Sequence, residues 1–192
     1  MWRKQGEAAS PDLAGHDPYE GQVPASRIVP FWGGISAGGF AVVTFHPKRK
    51  LNTAKWVATV KRGALTDAIK ALEPVKPNGP WTVLCDGEKF LHTGDSTAAH
   101  KRANVKLWTV PSHSPDLNPV EKFWAWLRRR LREKDLADLH AGRPVPSHVA
   151  FKARVRSLCA SQQAQRVAKA CALSLRKVCN EVVEKKGAMA RS

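Results

Sequence analysis

Trp81-Thr82-Val83-Leu84-Cys85-Asp86 is the stretch on which the reading of this chain turns. Trp81 to Cys85 forms a short, continuous apolar run, the pattern of a strand buried on both faces. Asp86 ends it, where a side chain can project from a sheet edge into a crevice. Upstream, Pro74, Pro77, Gly79 and Pro80 break a helix that Asn52-Thr53 caps and that runs to about Leu72, with Trp56, Val60, Ala64 and Leu65 near helical spacing. Before that helix, Arg27 to Ile35 and Phe40 to His46 read as two strands rich in β-branched and aromatic residues, joined by Ser36-Ala37-Gly38-Gly39 into an antiparallel hairpin.

Downstream of Asp86 a short helix near Ser96–Ala103 leads to a strand, Val105 to Val110, then a loop from Pro111 to Pro119. A helix starts at Pro119 with one apolar face, Val120, Phe123, Trp124, Leu127 and Leu131. Two more helices are expected near residues 147–160 and 162–185, the second burying Val167, Cys171, Leu175, Val178 and Val182. Residues 8–26, rich in Pro, Gly, Ala and Asp, read as loop, and 187–192 as a frayed tail. The order β-β-α-β-α-β-α-α-α predicts an α/β layer with a mixed sheet.

The 192 residues, 43% hydrophobic and 25% charged, suit one globular domain with a sizeable core. A net charge of +16 points to a polyanionic partner, most often nucleic acid. Residues 1–46 carry three Lys/Arg against four acids, a net of −1, so the remainder carries +17. Cys85, Cys159, Cys171 and Cys179 form no CxxC pair and no zinc-finger spacing, and are read as reduced thiols in an intracellular protein, mostly core filler. No apolar run approaches the ~18–20 residues that span a bilayer. The chain turns polar at once after Trp2, so no secretory signal opens it.

Two acids have special addresses: Asp86 at a strand end and Glu121 in the first turn of the helix from Pro119. The 34 residues between them, 87 to 120, are about the length needed to leave the sheet and return beside it. Phosphodiester cleavage uses two Mg²⁺ ions about 3.5–4 Å apart, one activating the attacking oxygen and one stabilising the leaving oxygen. Hard oxygen donors such as carboxylates suit that ion. Blander accounts exist for each acid. Asn118, Pro119 and Glu121 match a capping box at N-cap, N1 and N3, and Asp86-Gly87 matches a turn after a strand. Either acid alone is more often structural; the pair points to chemistry.

The segment Ser114-Pro115-Asp116-Leu117-Asn118-Pro119-Val120-Glu121-Lys122-Phe123-Trp124 resembles the third-carboxylate signature of mariner-superfamily DDE transposases. Asp86, followed by His92-Thr93, resembles the second-carboxylate motif, and the 34-residue gap suits the family. Trp32-Gly33-Gly34-Ile35-Ser36 with Gly39 resembles the preceding hairpin, and Asn52-Thr53-Ala54-Lys55-Trp56 the start of the next helix. The resemblance covers roughly residues 1–135 and implies an RNase H-like mixed sheet flanked by helices. It sets a partial catalytic core over 27–135, after a loop and remnant strand over 1–26 and before an extra C-terminal helical extension over 136–192. It also implies metal-dependent DNA cleavage and strand transfer, with Mg²⁺ or Mn²⁺ held by Asp86 and Glu121. The partner expected is DNA, a second copy of the chain (a homodimer) is a further candidate, and no membrane is expected; the location is nuclear in a eukaryote and cytoplasmic otherwise.

Two features depart from the family pattern. His92 stands six residues after Asp86 rather than five, and Gly87 replaces the usual Asn. Met1 to Glu7 resembles the stretch that follows the first catalytic Asp, so that Asp and the first central strand are expected to be missing. Asp12 and Asp17 lie in Pro/Gly-rich sequence without an apolar strand and are not assigned the role. The expectation is therefore a transposase fragment that does not cut DNA as it stands. The alternatives are a domesticated basic DNA-binding protein, or a living nuclease completed by Asp12, Asp17 or another chain.

Overall fold

The computed structural model describes residues 28–46, 51–73, 78–111 and 114–186. The expected loop and strand remnant before residue 27, with Asp12 and Asp17, and the tail after 186 lie outside the described residues, as do Ser112 and His113.

Strands β1 (Phe31–Ser36) and β2 (Gly39–Phe45) pair as the expected antiparallel hairpin, Phe31 opposite Phe45 and Ser36 opposite Gly39. Gly39 closes the turn with φ +128°, a region that side-chain-bearing residues rarely adopt. Its neighbour Phe40 donates its backbone N–H to Gln165 Oε1 at 2.8 Å, which ties the turn to a distant helix.

The long helix expected from Asn52 to Leu72 is two helices, α1 (Thr53–Lys61) and α2 (Ala64–Leu72). Gly63, at φ +85°, turns the chain between them and serves as N-cap of the second. Asn52 caps α1 by accepting the Lys55 N–H at 3.0 Å. Strand β3 (Trp81–Cys85) pairs in parallel with β4 (Val105–Thr109), Trp81 opposite Val105 and Cys85 opposite Thr109. Helix α3 (Gly94–Arg102) makes the crossover. Then follow α4 (Pro119–His140), α5 (His148–Ala160) and α6 (Gln162–Glu184). Helix α4 runs unbroken across residue 135, the expected edge of the core.

The mixed sheet expected from sequence, with its first central strand missing, takes the form of two two-stranded sheets: among the described residues β1 bonds only to β2, and β3 only to β4. Each sheet has its own core. The hairpin packs on α4, α5 and α6 around Phe40, Phe123, Leu127, Val155 and Ala164. The parallel pair packs with α1, α2 and α3 around Trp56, Leu65, Trp81, Leu91 and Val105. Trp56 is fully buried, and its indole N–H donates to Nε2 of the buried His100 at 2.8 Å.

The stripe expected on α6 is only half right. Val178 is buried, but the residues buried near its start are Ala164 and Ala168, whose lack of bulk lets the helix approach the hairpin closely. On α4 the structure adds Trp126, stacked on Phe123 at 5.6 Å, to the expected face.

Between β1 and β3 lies a cleft, formed by two cavities of about 450 and 370 Å³. Both are walled by the inner edges of the two strands. The first is lined by Trp124, Ala172 and Leu175 from α4 and α6. The second is lined by Leu65, Ala68, Ile69 and Leu72 from α2.

Candidate active site

The larger cavity brings together the two acids picked out in sequence. Asp86 follows the last residue of β3, where the apolar run ends and the chain leaves the sheet. Glu121 stands in the first turn of α4, where the unpaired N–H groups and helix dipole favour a negative charge. Asp86 is exposed and Glu121 half-buried.

The capping box that would have explained Glu121 away is not formed. Asn118 occupies the N-cap position but makes no side-chain cap bond; the Glu121 N–H is taken by the Asn118 backbone carbonyl at 3.0 Å. The Asn118 amide turns instead to Asp86 and donates to Oδ1 at 2.6 Å. Asn118 is 4% exposed, so this bond satisfies a buried polar group.

A third carboxylate that the sequence reading passed over, Glu88, lines the same cavity. Burial and the nearby Asp86 charge raise its carboxyl above the usual range, while a hydrogen bond with Trp32 pulls the other way. The Asp-Gly-Glu run was the available signal for it. Cys85 also lines the cavity; burial, then the charges of Asp86 and Glu88, push its thiol up to about 11, so it stays protonated near neutral pH. His92 is exposed and does not line the cavity; its Nε2 sits 3.5 Å from Thr109 Oγ1 at the end of β4.

Among the described residues no group of three or more His, Cys, Asp or Glu is placed to hold a metal ion. Asp86 and Glu121 nonetheless offer the donors a hard divalent cation takes, two carboxylates at one cavity, beside a thiol that remains neutral. The donor chemistry fits such an ion, and the described residues supply part of a ligand set.

The basic surface is partly committed. Arg130 pairs with Glu133 at 2.6 Å, and Arg154 bridges Asp135 at 2.8 Å and Asp138, clamping α4 to α5. Lys152 and Arg156 lie over the Phe45 ring, 5.4 and 4.6 Å from its centroid.

The α/β fold brings an Asp from a strand end and a Glu from a helix start to the lining of one cavity. The chain belongs to the DDE superfamily endonuclease family, whose model matches residues 8–141. Endonucleases of this superfamily generally depend on divalent metal ions. The chain is similar to the Transposable element Tc1 transposase of Caenorhabditis elegans, at 36% identity over 61 residues, 27% of this chain and 22% of that protein. It is similar to the Tcb1 transposase of Caenorhabditis briggsae at 36% over 62 residues, and to the Tcb2 transposase of the same species at 32% over 62 residues. Each of those matches covers 28% of this chain and 23% of the relative. The matched stretch thus spans under a quarter of these transposases. No helix among the described residues is long and apolar enough to cross a membrane.

Proposed function

We propose that this chain is part of the catalytic region of a DNA transposase, in which Asp86 and Glu121 hold Mg²⁺ or Mn²⁺ for DNA cleavage and strand transfer. The observation that carries the reading is that both acids line one cavity, and that this cavity opens between β1 and β3. An RNase H-like arrangement would account for the cleft: a strand between β1 and β3 would join the two sheets and bring the remaining carboxylate to Asp86 and Glu121.

The protein's own groups have defined tasks in this reading. Glu121 is held by the rigid start of α4, and Asp86, which lines the same cavity, is held through Oδ1 by Asn118. The bound cation would supply Lewis-acid activation of the attacking oxygen and stabilise the leaving one. The net charge of +16 draws the DNA backbone to the surface.

Because the described residues offer only part of a ligand set, the reading expects the chain to bind DNA without cutting it. The test is nicking of supercoiled DNA in Mg²⁺ or Mn²⁺, by this chain and by a version carrying an additional upstream strand that ends in Asp. The short chain is expected to leave the DNA intact and the extended one to nick it. Nicking by the short chain that Glu121→Gln abolishes would overturn the inactivity, and the first carboxylate would then be sought in residues 7–20. The second reading is a non-catalytic basic DNA-binding protein, which the net charge of +16 suits equally. It requires that the extended version also leave DNA intact while DNA binding is unaffected by Asp86→Asn.

A further inference from the structure

Five helices of the described chain start at a polar residue that can cap with its side chain, and four of them do. Asn52 accepts from the Lys55 N–H, Thr93 from Ser96, Ser147 from Ala150, and Ser161 from Ala164, at 3.0 to 3.3 Å. The fifth, Asn118 at the start of α4, does not. Asn is among the best N-cap residues, and forgoing that bond sacrifices a stabilising contact. Its side chain is nonetheless 4% exposed and engaged: the amide donates to Asp86 Oδ1 at 2.6 Å.

The local sequence sets this up. Pro119 excludes the helical region for the residue before it, and Asn118 is extended at φ −108° and ψ 94°. Asn118 also lies three residues before Glu121, whose N–H its carbonyl accepts at 3.0 Å. One residue thus bonds to the strand-end acid through its side chain and to the helix-start acid through its backbone. Its chemistry suits the task. A Lys or Arg in its place would neutralise Asp86 and compete with a cation. A neutral amide orients the carboxylate, occupies one lone pair, and leaves the charge intact.

Resting on the metal-site reading above, we infer that Asn118 is a positioning residue, which sets the distance and orientation of Asp86 relative to Glu121 for a shared divalent cation. It touches neither substrate nor metal in this role.

The test compares the wild-type chain with Asn118→Ser, Asn118→Ala and Asp86→Asn, reading Mn²⁺ affinity from the free-ion electron paramagnetic signal and stability from thermal melting. Serine caps a helix about as well as asparagine but is too short to reach Asp86. The expected result is that Asn118→Ser melts with wild type while its Mn²⁺ affinity falls ~10–100-fold, the usual loss when a residue orienting a metal ligand is removed. Asn118→Ala loses the same affinity, and Asp86→Asn abolishes binding. If Asn118→Ser binds Mn²⁺ like wild type while Asp86→Asn does not bind, the metal site stands and the role of Asn118 is overturned. If wild type shows no Mn²⁺ binding sensitive to Asp86→Asn, the metal-site reading fails and this inference falls with it. An independent readout covers the case in which the Asn118 variants fold poorly. The Asn118 side-chain amide proton, downfield through its bond to a carboxylate, should move upfield in Asp86→Asn. An unmoved resonance refutes the bond.

Discussion

Replacing Trp56 with Phe tests the buried polar contact at the centre of the α1–β3–α3 core. Trp56 is 0% exposed, and its indole N–H meets His100 Nε2 at 2.8 Å; His100 is itself 3% exposed. Phenylalanine keeps an aromatic body against Trp32, whose ring lies 4.7 Å from that of Trp56, but removes the donor. The imidazole acceptor is then buried without a partner, at a cost of about 1–3 kcal/mol. The gap left by the smaller ring adds to this. The same bond makes a pH prediction. Burial, and secondarily the neighbouring His92, lower the His100 pKa from its ordinary 6.5. Below that value the unfolded chain takes up a proton that the folded chain refuses. The stability from neutral His100 is therefore complete above about pH 6.5 and is lost as pH falls through the lowered folded value. Asp138, lowered by hydrogen bonds from Arg154 and then Arg143, titrates further into the acid, whereas Glu88, raised by burial and Asp86, works in the opposite sense and equally in both proteins, so the difference between them reports His100. Urea unfolding followed by circular dichroism, at about pH 7.5 and 5.5 on either side of the ordinary histidine value, should show wild type less stable in acid. It should show Trp56→Phe weaker than wild type at the higher pH but with a smaller acid loss, since Nε2 is no longer engaged. A variant within about 0.5 kcal/mol of wild type at the higher pH, the range of an inconsequential change, would refute the reasoning. So would a variant whose acid loss is as large as that of wild type.

Three other outcomes follow from the same structure. Gly39→Ala places a methyl group against Gln165 Oε1 at φ +128°, so the variant should lose about 1–3 kcal/mol and the tie between hairpin and α6, measured by denaturation. DNA affinity should fall steeply and linearly in log–log form as salt rises, because Lys and Arg release counterions from phosphates; a salt-indifferent affinity measured by fluorescence anisotropy would point to another class of partner. The inner edges of β1 and β3, unpaired among the described residues, should promote pairing between copies. Sedimentation should then show concentration-dependent association, and a strict monomer at high concentration would show that the edges are covered.

The parts of the fold legible in sequence were those where burial leaves a periodic trace. The hairpin, the Trp81–Cys85 strand and the last three helices fall within a few residues of their expected bounds. The break at Gly63 was missed because one glycine inside an apolar helical spacing reads as a tolerated interruption, whereas its positive φ turns the chain. Ala164 and Ala168 were missed because a stripe is recognised by bulk, and close packing of α6 on the hairpin demands small residues. The separation into two sheets follows the expectation that the first central strand, between the hairpin and the Trp81–Cys85 strand, is missing, an expectation that came from the family resemblance and not from any local pattern. That Asp86 ends a strand and Glu121 starts a helix could be read because both are local facts; that they line one cavity is seen only in the fold. The role of Asn118 could not be read, because an asparagine that caps and one that reaches across to a carboxylate have the same local sequence. Glu88 was overlooked beside Asp86, although only the fold shows that it lines the same cavity.

The most direct test of the central claim is metal-directed backbone cleavage. Fe²⁺ substituted for the divalent ion, with ascorbate and peroxide, generates hydroxyl radicals that cut the chain next to where the ion sits. The account predicts cuts clustered at the residues flanking Asp86 and Glu121 together, competed by Mg²⁺ and absent in Asp86→Asn. Cuts confined to one of the two segments, or persisting in Asp86→Asn, would contradict a site shared by these two acids.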